Sequence, residues 1–321
     1  MTTAFVFPGQ GAQSVGMGRD LYESSAVARE IFELADATLG LAVTRLCFEG
    51  PEEALTATEN AQPALLTVSV ALLATLSERR GERASGRWGE EADALSPFHP
   101  FIPSHVAGHS LGEYSALVAA GALDFPTALR LVRRRGELMA EAREGGMAAI
   151  IGLDEAPLEQ ICCEVSTEDA PVVIANYNSP GQLVISGAAA AVERACALAK
   201  ERGAKRALPL KVSAAFHSPL MRAAAEGLAA VVAQAVIVDA RTPLISNVTA
   251  EPLTQADAIR RELIAQVTSP VRWIASVRRM AADGVDTFVE IGPGSVLTGL
   301  IKRIAPDAQF VNVSDFRERT L

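Results

Sequence analysis

Ser110 sits in Gly108-His109-Ser110-Leu111-Gly112, a glycine-x-serine-x-glycine run whose small residues make room for a tight strand-to-helix turn. Such a turn leaves a serine hydroxyl exposed as a nucleophile. It also aims the next amide, that of Leu111, from a helix N-terminus at the place where a tetrahedral oxyanion forms. The chemistry open to it is attack on an acyl carbonyl. Read blandly, the same run is a glycine-rich connection with an incidental serine, and the pattern alone does not separate the two.

A nucleophilic serine needs a base, and the chain has four histidines. His99 and His105 flank an irregular stretch, and His109 precedes the serine with its side chain expected to point the other way. His217 remains, followed by Ser218-Pro219, a good cap and first-turn pair for a helix over 220–233. At that junction the positive end of the helix favours a neutral imidazole. The alternative is a polar residue filling a loop. A carboxylate triad would need an acid between Ser110 and His217, but Asp154, Glu164 and Asp169 fall in a small inserted unit, away from the main strands.

Arg135 is the most informative residue. On a helix over 127–144, at about 100° per residue, Ala128, Leu131, Val132, Leu138, Met139 and Ala142 lie within about 60° of it. Arg130, Arg133, Arg134, Glu137, Glu141 and Glu144 point to the other side. An inward guanidinium stays charged and needs a partner. That partner is either a protein carboxylate in a structural salt bridge or a carboxylate on a ligand held by two parallel hydrogen bonds.

The elements that position these residues follow from patterning. A buried strand over 3–7 runs into Pro8-Gly9-Gln10-Gly11 and a helix over 18–39; a second helix, over 62–80, opens at Pro63. The 81–103 stretch reads as mostly exposed loop, 101–107 leads into the serine turn, and 113–120 is a helix stopped by Gly121. Short strands over 147–153, 171–177, 182–186 and 207–212, with two helical patterns between them, give the β-α-β-β-α-β order of a ferredoxin-like unit. Buried strands over 244–247 and 287–291 resume the larger α/β architecture, so the expectation is a catalytic domain of 1–143 and 213–321 with 144–212 inserted.

With 321 residues, 49% of them hydrophobic, the chain can bury a large core, and a formal net charge of -9 argues against a general nucleic-acid binder. Cys47, Cys162, Cys163 and Cys196 lack metal-ligand spacing and read as reduced packing residues; no metal site is expected. No basic N-terminal stretch leads into an apolar core. The apolar run 61–76, broken by Gln62, Pro63, Thr67 and Ser69, reads as too short for a bilayer, so the expectation is a cytoplasmic protein without a membrane partner.

Phe7-Pro8-Gly9-Gln10-Gly11-Ala12-Gln13, Gln62-Pro63-Ala64-Leu65, the serine turn with Glu113-Tyr114, Arg135-Gly136 with Met139, Asn178-Ser179-Pro180-Gly181-Gln182, Phe216-His217-Ser218-Pro219-Leu220-Met221 and Gly292-Pro293-Gly294 run nearly end to end. Together they resemble malonyl-CoA:acyl carrier protein transacylases of bacterial fatty-acid synthesis and the related acyltransferases of polyketide assembly. The resemblance implies an α/β-hydrolase-like domain with a ferredoxin-like insert, Ser110 as nucleophile, His217 as base and Arg135 as ligand of the malonyl carboxylate. It further implies an oxyanion hole of the Gln10 and Leu111 amides, Gln62, Met139 and Phe216 at the substrate, and the Gln266 main-chain carbonyl orienting His217. Leu111 and Phe216 fit the pattern that goes with malonyl rather than methylmalonyl units.

The reaction so implied moves malonyl from coenzyme A to the phosphopantetheine thiol of acyl carrier protein by a ping-pong cycle, without a cofactor, in an enzyme expected to be a monomer. The 81–103 stretch is longer than the family leads one to expect. A plain serine esterase and a non-catalytic carrier-docking module are the competing readings. Lys200, Arg202, Lys205 and Arg206, or Lys302 and Arg303, are candidates to meet an acidic carrier, or else ordinary solvated surface.

Overall fold

Strand β1 (Thr3–Phe7) is buried along almost its whole length. Its residues alternate between two cores, Phe5 and Phe7 in one, Ala4 and Val6 in the other. A strand that buries both faces needs cover on both sides, the condition of a parallel sheet. The computed structural model describes residues 2–79, 103–210, 212 and 214–314, so the expected 81–103 loop lies outside the described residues except for its last position.

After β1 come α1 (Arg19–Ser24), α2 (Ala26–Leu39), α3 (Val43–Glu49), α4 (Glu52–Thr56) and α5 (Thr58–Arg79). The one helix expected over 18–39 is two. Ser25 is extended between them and its hydroxyl caps α2, accepting the Ala28 amide at 3.2 Å. Helix α5 starts ahead of Pro63 rather than at it. Proline has no N–H to give the carbonyl four residues back, and that carbonyl, Glu59 O, instead accepts Arg133 Nη1 at 3.0 Å. Contrary to expectation, Thr58–Glu78 is long and apolar enough to cross a bilayer; 89% of its apolar window is buried inside the fold, so it is a core helix here.

Strand β2 (His105–Gly108) leads into α6 (Gly112–Ala119) and α7 (Phe125–Glu141). Asp124 caps α7 by accepting the Thr127 amide at 2.6 Å, which starts the helix earlier than 127. Next follow β3 (Gly146–Ile151), α8 (Glu155–Val165), β4 (Val172–Ser179), β5 (Gln182–Gly187), α9 (Ala189–Glu201) and β6 (Arg206–Pro209). Their strands form a separate sheet in the order β4-β5-β3-β6, antiparallel throughout. Ile150, Leu158, Ile185 and Ala195 belong to its own core.

The chain continues through a 3-10 turn, Pro219–Met221, then α10 (Arg222–Val232), β7 (Leu244–Ile245), β8 (Pro252–Leu253), α11 (Ala256–Ala265), α12 (Trp273–Ala282), β9 (Thr287–Ile291), α13 (Val296–Ile304) and β10 (Gln309–Val313). The first sheet has the order β10-β9-β1-β2-β7-β8, with only the β7–β8 pair antiparallel. The fold is α/β. The strand expected over 244–247 stops at Ile245 because Ser246 and Asn247 turn to buried glutamates: Ser246 Oγ donates to Glu262 and the Asn247 amide to Glu113. In the β1–β2 register Phe7 lies beside Gly108, so the loops carrying Gln10 and Ser110 leave neighbouring strands at the same end of the sheet.

Candidate active site

The turn after β2 is as tight as the glycine pattern predicts. A Cβ on Gly108 would fall 1.9 Å from the Gly112 carbonyl carbon, and one on Gly112 would fall 2.1 Å from Phe7 O. Backbone meets backbone there, and only glycine fits. Ser110 itself has φ 51°, a left-handed conformation that costs a non-glycine residue about 1–2 kcal/mol. Its own peptide groups are held from both sides: the Ser110 amide donates to Asn247 Oδ1 at 2.8 Å, and Gln266 Nε2 donates to Ser110 O at 3.0 Å.

Ser110 Oγ lies 2.8 Å from His217 Nε2. His217 is also left-handed, at φ 57°, and its Nδ1 faces two backbone carbonyls, Gln266 O at 2.9 Å and Ser269 O at 3.1 Å. Carbonyls only accept, so Nδ1 must carry the proton and Nε2 presents its lone pair to the serine. Burial, and secondly the Arg135 charge, push the imidazole down to about 3. That cause differs from the helix end expected from sequence; Ser218 does cap the turn, accepting the Leu220 amide at 3.3 Å.

Arg135 is 1% exposed, on the buried face of α7 with Ala128, Leu131, Val132, Leu138 and Met139. Its Nη1 donates to Gln62 Oε1 at 2.9 Å, while Nη2 donates to Gln266 Oε1 at 2.8 Å and to Ser110 Oγ at 3.1 Å. The guanidinium stands 5.8 Å from the centre of the Tyr114 ring. Among the described residues no carboxylate forms an ion pair with it, and its buried Nε has no hydrogen-bond partner. Burial pulls its pKa below the ordinary value, yet a guanidinium remains a cation in protein. The neighbouring Arg133 and Arg134 face outward and pair with Glu137.

Behind these groups lies a buried layer that the sequence reasoning missed. Glu113, on α6, accepts the Asn247 amide at 2.9 Å and Gln266 Nε2 at 2.5 Å. Glu262, on α11, accepts Ser246 Oγ at 2.7 Å and the Val248 amide at 3.0 Å, and the two carboxyls meet. Burial raises both pKa values; the neighbouring Glu262 charge also raises that of Glu113. The available signal was Glu113 itself, an acid within a helix otherwise of apolar and small residues. The Gln266 side chain was also unforeseen, since only its main-chain carbonyl had been singled out.

The other sequence candidates are distributed around this centre. Gln62 is fully buried and its Nε2 reaches Met139 Sδ at 3.6 Å. Met139, Phe216 and Gln10 wall a cavity of about 360 Å³ with Thr58, Glu59 and Ala214; Ser110, His217 and Arg135 are not among its walls. His109 does turn away from the serine, its Nε2 2.8 Å from Asn178 Oδ1 and its ring beside Trp273. Among the described residues, no cluster of three or more His, Cys, Asp or Glu side chains is suited to a metal ion.

The acyl transferase domain family matches residues 4–315. The chain belongs to that family. It is 50% identical over 315 residues to a malonyl CoA-acyl carrier protein transacylase of Bacillus subtilis (strain 168), covering 97% of this chain and 93% of the relative. Among solved structures it is similar to an acyl-carrier-protein-S-malonyltransferase from Bartonella henselae, with TM-score 0.90, 43% identity, and 99% and 97% of the two chains covered. A malonyl-transacylase in complex with a type II PKS acyl-carrier protein is likewise similar, with TM-score 0.88, 43% identity, and 98% and 96% covered.

Proposed function

We propose that this acyl transferase moves a malonyl group from malonyl-CoA to the phosphopantetheine thiol of an acyl carrier protein by a ping-pong cycle through an ester on Ser110. The observation that carries the reading is the meeting of two groups at the Ser110 hydroxyl: His217 Nε2 at 2.8 Å, and Arg135 Nη2 at 3.1 Å with no carboxylate of its own among the described residues. In this reading the hydroxyl gives its proton to Nε2 as its oxygen attacks the thioester carbonyl. The oxyanion is received by the Gln10 and Leu111 amides. His217, now protonated, hands the proton to the departing coenzyme A thiolate, and the carrier thiol repeats the sequence on the ester. Meanwhile the malonyl carboxylate lies against Arg135, whose Nε is unused among the described residues.

Gln62 and the Gln266 side chain then aim the guanidinium, Met139 and Phe216 border the acyl chain, and the Gln266 main-chain carbonyl fixes the base. Orienting His217 by carbonyls rather than by an aspartate avoids a second anion beside an anionic substrate. The reading needs no cofactor. It is joined to a catalytic domain of α/β-hydrolase type over 1–143 and 213–321 and a ferredoxin-like insert over 144–212, to a monomer, and to a place in the cytoplasm. The antiparallel order β4-β5-β3-β6 supports the insert.

The test is intact-protein mass spectrometry after mixing with malonyl-CoA. A malonyl adduct that a purified carrier then removes is the expected result. Steady release of free malonate would indicate an esterase, and an unchanged mass a docking module. Comparing carriers from fatty-acid and polyketide synthesis identifies the acceptor.

A further inference from the structure

We infer that Glu113 is a positioning residue for this reaction: one buried carboxyl group fixes both the left-handed Ser110 and the direction of Arg135. The inference rests on the acyl-transfer reading of Ser110. Each hydrogen bond that Glu113 accepts goes to a group that itself grips the serine turn. Its Oε1 takes the Asn247 amide at 2.9 Å, and the Asn247 side chain takes the Ser110 amide at 2.8 Å and donates to Gly108 O at 2.7 Å. Its Oε2 takes Gln266 Nε2 at 2.5 Å, the same nitrogen that donates to Ser110 O at 3.0 Å.

The second grip decides which way the Gln266 amide faces. With both acceptors on the Nε2 side, Oε1 is left toward Arg135, where it takes Nη2 at 2.8 Å. Turning that amide over would set an NH2 group against a guanidinium, donor against donor. Glu113 therefore acts on the Arg135 cation through Gln266, and on the serine turn through Gln266 and Asn247 side by side. Glu262, the other acid in the pair, holds Ser246 and Val248 and meets Glu113 and the Asn247 backbone, but it bonds no atom of Ser110 or Arg135. Burial raises both pKa values and the Glu262 charge raises that of Glu113 further, so the pair favours retaining a proton and Glu113 serves as a hydrogen-bonding strut more than as a counter-charge to Arg135.

Glutamine at 113 keeps the shape but carries one acceptor and one donor where the structure needs two acceptors. In either orientation an N–H meets the Asn247 amide or Gln266 Nε2, and the favoured escape is to turn Gln266 over. The experiment measures single-turnover uptake of malonyl and of acetyl groups from their coenzyme A thioesters, by intact mass, in wild type, Glu113→Gln and Glu262→Gln. Glu113→Gln is expected to slow malonyl uptake by about 10- to 100-fold. The malonyl-over-acetyl preference also falls, by about tenfold, as Arg135 loses its aim. A purely structural glutamate would lower the melting temperature without moving that preference.

Glu262→Gln is expected to change both quantities much less than Glu113→Gln, because an amide there still accepts Val248 and meets the Ser246 hydroxyl, and it touches neither Ser110 nor Arg135. If Glu113→Gln does not fold, Glu113→Asp, too short to reach both donors, reads the same two quantities. Unchanged rate and preference in the Glu113 variants overturn the inference, as does an equal loss of both in Glu262→Gln. Wild-type protein that takes up no malonyl group instead removes the acyl-transfer reading, and this inference with it.

Discussion

Replacing Arg135 by methionine separates a substrate-binding arginine from a structural one. The guanidinium is fully buried, holds Gln62, Gln266 and Ser110 Oγ, and has no carboxylate mate among the described residues. A malonyl carboxylate supplies that mate, and two charge-assisted hydrogen bonds at about 1.5–3 kcal/mol each amount to about 3–6 kcal/mol. At 1.36 kcal/mol per decade this is a loss of about 10²- to 10⁴-fold in kcat/KM for malonyl-CoA. Acetyl-CoA has no carboxylate to lose, so acetyl transfer survives or rises.

Stability gives the second arm. Methionine leaves the Gln62 and Gln266 side-chain carbonyls without a donor, at about 1–3 kcal/mol each, but removes a buried cation whose uncompensated desolvation costs several kcal/mol. These terms offset, and the variant should melt within a few degrees of wild type. The assay pairs malonyl and acetyl transfer rates with a thermal melt. Equal loss of both activities together with a large fall in melting temperature would mean that the arginine is part of the scaffold, and the argument from its missing partner would fail.

His217, held at about 3 chiefly by burial, is neutral from there upward, so the rate of malonyl uptake should stay level as pH falls through 6.5, where an ordinary imidazole loses half its base form. Over the same range stability should decline, because the unfolded histidine takes a proton that the folded one refuses; a pH-rate profile with its midpoint near 6.5 would contradict the burial argument. Gly112→Ala drives a Cβ to 2.1 Å from Phe7 O and 2.8 Å from Pro8 O, backbone atoms of the neighbouring strand and its loop. A loss of about 3 kcal/mol or more in urea denaturation is expected, and wild-type stability would show that the loop yields.

Some of this was legible in the residues alone because it depends on local rules. The glycines at 108 and 112 announce a turn that only bare backbone can make, and Arg135 announces itself by interrupting an apolar helical face at period 3.6. Such patterns record the environment of one element. The buried apolar run along 3–7 and the succession of short strands and helices over 147–212 are of the same kind. Element ends were less legible: Ser25 splits a helix by capping, and the strand at 244 ends early for partners far off in the chain.

Tertiary structure alone decided what the charged groups at the centre do. Periodicity turned Arg135 inward but left open whether an internal acid or a ligand would meet it. Folding brings α5, α7 and the end of α11 together so that two glutamine carbonyls receive the guanidinium, while the buried acid Glu113 is turned to the Asn247 amide and Gln266 Nε2. Hydrogen bonds between residues so distant in the chain, from 73 to 153 positions apart, leave no periodic trace in a sequence, because each partner satisfies its local pattern equally well with or without the other.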